Sequence, residues 1–459
     1  MSGAKIALIG GGGARTPLLI HGLAQAQPVL DIGEVVLYDI DRPGAELMSV
    51  MGHEIVRANR AGFQIRTAHT VEDAIEGARF VLSSIRVGGI EARARDERLI
   101  MDHGLVGQET TGPGGLAMAL RTVPLALAHA HIIERLAPGA WLINFTNPAG
   151  LITQALMTHS NVRVIGICDT PAELFHRIAW SLGLPFEDLE FIYSGLNHLG
   201  WVKHVLHKSE DITARLLEND DALLRLYAAR LFEPEMIRTL GLIPSEYLFF
   251  YYVKSRAFLN QRAAGTSRGE EIRRMNTGLF EALRKAIGNG DPAAAVTVYK
   301  AYLNQRNSSY MRLEAHAESA LDQGPQDWDP FEGATGYHRI AIDVMTALSA
   351  EIPRRVVVNV HNHGAIEDLH PFDVVEIPCM INRDGPEPIH TSALPESVQG
   401  LVLSVKAYEH LAIRAAIERS FDLARLALTV YPTVGEWSTS TEILRALGES
   451  DSEHLGYLR

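Results

Sequence analysis

Short apolar runs alternate with amphipathic stretches along roughly the first 190 residues. "KIALIGGGGARTPLLIHGLAQAQ" reads as strand, glycine turn, helix. Its run Ile6–Ile9 is short, apolar and rich in β-formers, as a strand buried on both faces requires. Thr16 and Pro17 predict an N-cap and a proline at the first helical position. "EVVLYDID" predicts a second strand ending on Asp39 and Asp41. "DAIEGARFVLSSIRVGG" predicts a helix end, a third strand over 80–85 and a glycine turn. "GAWLINFTNPAG" predicts a fourth strand, and "VRVIGICDTPAELFHRIAWSLGL" a fifth with its helix. In the latter, "TPAE" has capping-box spacing, with Thr170 as N-cap, Pro171 at N1 and Glu173 at N3. The alternation predicts an α/β fold built on a Rossmann-type, doubly wound parallel sheet. Function is then expected at the carboxyl ends of the strands.

Beyond residue 190 the period changes. "LEFIYSGLNHLGWVKHVLHK" reads as paired strands around a turn, and residues 211–350 are mostly helical in period. "RRVVVNVHNHGAIEDL" and "DVVEIPCMI" read as strands. "LVLSVKAYEHLAIRAAIERSFDLARLAL" reads as one long helix with Val405, Tyr408, Leu411 and Ala415 on its apolar side. We expect a Rossmann-like domain over 1–190 and a mixed α/β domain over 191–459, packed closely together.

Charge narrows the partners. Lys+Arg 42 against Asp+Glu 55 gives a net charge of −13. Such a surface disfavours nonspecific nucleic acid or anionic membrane, though not an anion held in a local basic pocket. The chain has only two cysteines, Cys168 and Cys379, so no disulfide framework is expected. The N-terminus lacks a cleavable signal pattern, and no apolar run approaches the ~18 residues of a membrane span. The expectation is a soluble, cytoplasmic protein.

The glycine loop brings in chemistry. "GGGGAR" follows a strand and opens a helix, the context of a dinucleotide fingerprint. Gly10 and Gly12 fit its first two glycines, Gly13 allows a further backbone approach, and Arg15 stands at the third position. Asp39, at the end of the second strand, is placed to accept from ribose hydroxyls, which favours NAD over NADP. Four further stretches are polar where strands should end: "SIRVGGIEARARDE", "GQETTGPGG", "NFTNPAG" and "SGLNHLG". Asn144 and Asn147 either bond sugar hydroxyls or cap a loop. Arg86 and Arg93 either receive an anion or are solvated. Cys168 and His198 can share a divalent metal, and two protein ligands would leave positions open for substrate oxygens. Taken singly, Cys168 reads more readily as a buried core thiol than as a ligand.

Together these stretches resemble the family 4 glycoside hydrolases, an NAD- and metal-dependent group of 6-phospho-β-glucosidases, α-glucosidases and α-galactosidases. The resemblance runs from "KIALIGGGG" through "GLVGQETTGPGG", "WLINFTNPAG", "VIGICDTP" and "GLNHLGWV", then more weakly through "IPSEYLFFYY", "VEIPC" and "VKAYEHLAIRAA". It implies a fold like that of lactate and malate dehydrogenases. It also implies an unusual hydrolysis: oxidation at sugar C3 by NAD+, proton removal from C2, elimination at C1, water addition and re-reduction. By the same resemblance, Cys168 and His198 hold the metal, Mn2+. Tyr247 is the base, with Tyr251 and Tyr252 as alternatives, and Asp169 is the acid for the leaving oxygen. Arg86, Arg93, Asn147 and Asn197 bind substrate, and the assembly is a homodimer or homotetramer. The expected substrate is a small glycoside, foremost a 6-phospho-β-glucoside. Phe249 departs from the family's "YLRYY", where arginine stands, which leaves unphosphorylated glycosides as the alternative. His361 and His363 have no assigned role. A net NAD-dependent sugar or hydroxy-acid dehydrogenase, and a non-enzymatic NAD-binding regulator, are the other readings.

Overall fold

A computed structural model describes residues 3–227, 230–315, 329–333 and 335–458. Six strands form the parallel part of the main sheet: β1 (Ala4–Ile9), β2 (Ile32–Tyr38), β3 (Gln64–Thr67), β4 (Phe80–Ser83), β5 (Trp141–Asn144) and β6 (Arg163–Gly166). Their order is β3-β2-β1-β4-β5-β6. This is the dinucleotide-binding order, with its reversal between β1 and β4. The sequence pattern did not indicate β3, because "QIRT" is four residues long and half polar.

The last three strands do not form a sheet of their own. β11 (Arg354–His361), β12 (Val374–Asn382) and β13 (Gly385–Pro388) run antiparallel and extend the same sheet to nine strands. β11 joins β6 through a single residue pair, Asn359 opposite Gly166. A second sheet holds the hairpin β7 (Leu189–Leu196) and β8 (Leu199–His207), flanked by β9 (Glu210–Asp211) and β10 (Ile243–Pro244). The hairpin register brings Leu196 opposite Leu199, so Asn197 and His198 alone make the turn.

Three local expectations need correction. The first helix spans Thr16–Leu30 with Arg15, not Thr16, at its N-cap, and Pro17 does sit in its first turn. The helix Thr170–Leu182 has Asp169 at its N-cap and no side-chain cap bond. The Thr170 hydroxyl instead donates to Glu246 Oε1 at 3.2 Å, so the capping box does not form. The long C-terminal helix is two helices, Glu396–Glu418 and Phe421–Val430. The break falls at Arg419, whose φ is 50°, where the chain leaves the helical region.

The helix Gly112–Leu136 is, by length and composition, apolar enough to cross a membrane. Arg121 interrupts its apolar stretch. Arg121 is buried here and paired with Asp96 and Asp451, and the helix packs on its neighbours in the core.

Candidate active site

The carboxyl ends of β1, β4, β5 and β6 and the β7–β8 turn gather most of the predicted residues. The glycine loop leaves β1 with Gly10 at φ 90°, where an added Cβ would lie 2.8 Å from the Ser84 carbonyl oxygen. Only glycine suits that backbone and that approach. Gly12 donates its N–H to Asp39 Oδ2 at 2.9 Å. Asp39 Oδ1 accepts from the Asp41 N–H at 2.9 Å. Asp39 therefore shapes the loop from the end of β2. Burial raises its pKa above the ordinary range, and the bonds from Asp41 and Gly12 oppose that rise. Loop, helix start and acidic residue together form a cradle that fits a dinucleotide.

Cys168 and His198 come together although thirty residues separate them. Cys168 Sγ lies 3.4 Å from His198 Nε2, and both residues are buried. Two bonds of about 2.3 and 2.1 Å at a tetrahedral angle span about 3.6 Å, so one cation can reach both atoms. The other ring nitrogen, Nδ1, bonds the Thr110 hydroxyl at 2.9 Å, the kind of partner that fixes a ligating imidazole. Burial pushes the His198 pKa down to about 3, which keeps the ring neutral and able to ligate. Burial, then Glu376 and Asp169, raises the Cys168 thiol. A bound cation would displace that proton. Among the described residues no group of three His, Cys, Asp or Glu is placed to hold a metal. The pair thus leaves the remaining positions to small ligands. His198 has φ 61°, in the left-handed region, at the second position of the two-residue turn.

Tyr247 sits in a short 3-10 turn, Glu246–Leu248, directly after β10. Its ring stacks on His198 with centroids 3.6 Å apart and planes 3° from parallel. Tyr251 turns away and shares a hydrogen bond with Tyr431. Burial pushes the Tyr252 hydroxyl up to about 12, with a side-chain hydrogen bond to Trp201 opposing the rise. Burial also raises the Tyr247 hydroxyl well above its ordinary value, with Glu109 and Cys168 adding to the effect. Asp169 is partly buried next to Cys168; desolvation raises it to about 6 against the pull of Arg15. A carboxyl in that range can hold and release a proton near neutrality.

The chain that brings this cysteine, histidine, tyrosine and aspartate together matches known proteins along nearly its whole length. Residues 5–184 match the model described as family 4 glycosyl hydrolase, and residues 193–434 match its C-terminal domain. The chain belongs to glycosyl hydrolase family 4. A probable 6-phospho-β-glucosidase of Bacillus subtilis is 31% identical, the alignment covering 99% of this chain and 97% of the relative. A solved 6-phospho-α-glucosidase from gut microorganisms, in complex with NAD and glucose-6-phosphate, superposes with TM-score 0.84. It shares 25% identity, with 99% of both chains covered. The 6-phospho-β-glucosidase of Thermotoga maritima, with manganese, NAD+ and glucose-6-phosphate, gives TM-score 0.81. It shares 28% identity over 98% of this chain and 99% of that one.

In this family 4 glycosidase the candidate substrate residues fall into two groups. Arg86 and Arg93 both pair with Glu109, and Arg93 also with Glu97 at 2.8 Å. Burial works against ionisation of Glu109, yet Arg86, Arg93 and Arg15 together hold its carboxyl well below the usual range. Asn197 donates to Glu376 Oε1 at 3.0 Å. Asn147 has a buried carbonyl oxygen with no partner among the described residues. Asn144 is committed to Thr153 and Thr146. Phe249 is fully buried, facing Phe232 and Phe250.

Sequence reasoning missed several groups. Thr110 and Glu109 lie in "GQETTGPGG", which was singled out as a stretch but not residue by residue. Arg15 stacks its guanidinium over the Tyr337 ring at 4.1 Å, and among the described residues it has no ion pair or side-chain hydrogen bond. Only its place at the end of the glycine loop hinted at a role. Tyr310, which donates to Glu246 at 3.2 Å, comes from a helical region with no signal at all.

Proposed function

We propose that this family 4 chain is an NAD- and Mn2+-dependent glycosidase whose preferred substrate is a 6-phospho-β-glucoside. The observation that carries the reading is the convergence of Cys168, His198 and Tyr247, with Cys168 Sγ and His198 Nε2 3.4 Å apart and Tyr247 stacked on the imidazole. The family 4 match along nearly the whole chain favours this reading over a net dehydrogenase. The Bacillus subtilis relative and the Thermotoga maritima structure support the β-glucoside choice, and the glucose-6-phosphate complexes support the phosphate.

In this reading Gly10, Gly12 and Gly13 receive the pyrophosphate, and Asp39 accepts from ribose hydroxyls. Cys168 and His198 hold the metal. The two groups supply reversible hydride transfer at sugar C3 and Lewis-acid polarisation of the sugar oxygens. Tyr247 takes the C2 proton, and Asp169 donates a proton to the leaving oxygen at C1. Burial raises the Tyr247 hydroxyl, and a cation held by Cys168 and His198 would supply the positive charge that favours its ionised form. Asn147 and Asn197 orient sugar hydroxyls. Arg15, with Arg86 and Arg93, makes the pocket basic enough for a phosphoryl group. The enzyme acts in the cytoplasm as a homodimer or homotetramer.

A second reading, unphosphorylated glycosides, is favoured by one observation. Arg86 and Arg93 are both already paired with Glu109. A panel of aryl α- and β-glycosides, with and without a 6-phosphate, separates the two. Turnover should require NAD+ and Mn2+, and the product formed in deuterated water should carry deuterium at C2. Full activity without both cofactors, or product without deuterium, overturns the proposal.

A further inference from the structure

One buried carboxylate ties together the two segments that deliver Cys168 and His198. Glu376 lies on β12 and is 1% exposed. Its Oε1 accepts from Asn197 Nδ2 and from Asn359 Nδ2, each at 3.0 Å. Its Oε2 accepts from the Tyr193 hydroxyl at 3.0 Å. Each donor stands at a telling place. Asn197 precedes His198 in the two-residue turn and also accepts from the Gly150 N–H at 3.4 Å. Tyr193 lies on β7, and its hydroxyl passes so close to Gly200 on β8 that a Cβ there would clash at 2.2 Å. Asn359 is the residue through which β11 meets β6, opposite Gly166 and two residues before Cys168.

We propose that Glu376 is a positioning residue that sets the separation of Cys168 and His198, and so the affinity of that pair for a divalent cation. The proposal rests on the metal reading above. The main sheet supplies Cys168 and the second sheet supplies His198. The two sheets share no ladder among the described residues, so the distance between the ligands is set by contacts between them. Glu376 is a contact that reaches both sides at once. A carboxylate suits the place because it is acceptor-only and can serve three donors on two oxygens. An apolar side chain would leave two amides and a hydroxyl buried without acceptors, and the turn would move to find others. His198 is poorly placed to resist, because its backbone already holds a left-handed conformation that a side chain other than glycine adopts at a cost.

The test measures Mn2+ binding to the NAD+-loaded chain by calorimetry, with NAD+ affinity and melting temperature recorded for each variant. Glu376→Leu should weaken Mn2+ about tenfold or more while changing NAD+ affinity less than about twofold. Glu376→Gln should stay within about threefold of the parent, because its oxygen serves both asparagines and its amide can donate to the tyrosine oxygen. Glu376→Asp keeps the charge but retracts the oxygens by one methylene, and should behave like the leucine variant. A folded leucine variant with parental Mn2+ affinity overturns the proposal. So does rescue by aspartate but not glutamine, which would make the contribution one of charge. If the leucine variant does not fold, Asn359→Ala removes one arm, and unchanged Mn2+ affinity there is equally fatal. A parent chain that binds no Mn2+ would instead sink the metal reading itself.

Discussion

Cys168 and Cys379 are both buried, at 3% and 0% exposure, and both thiols are raised by burial. Cys379 lies in the middle of β12, between Val356 and Pro388, and its one polar contact is a weak bond to the Ile377 carbonyl at 3.7 Å. Burial alone accounts for its shift. Cys168 follows the end of β6, where the ladder stops, and has His198 at 3.4 Å with Asp169 and Glu376 acting on it. The difference is position along a strand. A thiol inside a ladder is packing, whereas one just past the carboxyl end of a parallel strand faces whatever the loops bring. Burial by itself did not distinguish them.

The sharpest way to break this comparison is to exchange the sulfurs. Cys168→Ser should lower turnover on the order of 10³-fold and weaken Mn2+ binding, with NAD+ binding kept. Steady-state kinetics and calorimetry read this, and a fully active serine variant would make the two cysteines equivalent. Next in size, Asp169→Asn should slow turnover by about 10²–10³-fold, most for poor leaving groups and least for activated aryl ones. A uniform loss across leaving groups would remove Asp169 from the proton-donor role. Asp39→Ala should weaken NAD+ by about tenfold in a fluorescence titration, since it loses both the ribose acceptor and the bond to Gly12. Cys379→Ala should cost about 1–2 kcal/mol of stability in denaturant unfolding and leave kcat unaltered.

A separate effect, on stability rather than turnover, concerns Glu246, next to Tyr247. Burial, then Glu173, raises its carboxyl to about 8. A group raised in the folded state favours folding fully below its ordinary range, and that contribution is lost as pH rises through the folded value. Glu246→Gln should therefore narrow the difference in melting temperature between about pH 5 and about pH 8.5. An unchanged difference would show that Glu246 is ionised in the folded chain at both pH values.

Much of the architecture was legible because local rules and the fold agree. The runs at Ile6–Ile9 and 141–144 are apolar on both faces, as central parallel strands must be, and they are β1 and β5. β3 was not legible, since an edge strand needs only one neighbour and carries a half-polar sequence. The Thr170 capping box failed for a related reason. Its spacing is correct, but a buried Glu246 offers that hydroxyl a tertiary acceptor. The break at Arg419 was also hidden, because both helices on either side keep an apolar face toward the same core.

The linear order of motifs alone was enough to assign the family, and it suggested the glycine loop with its acidic partner and the side chains proposed for the chemistry. Those depend on residue identity and on short-range spacing. Only the tertiary structure decided that Cys168 and His198 meet, that Tyr247 rather than Tyr251 lies against them, and that Glu109 already occupies Arg86 and Arg93. It also supplied Thr110, Arg15 and Glu376, which no motif had marked for a role. The physical reason is the same in each case. These are contacts between elements far apart in the chain, brought together by sheet order and a two-residue turn, and no local period encodes such distances.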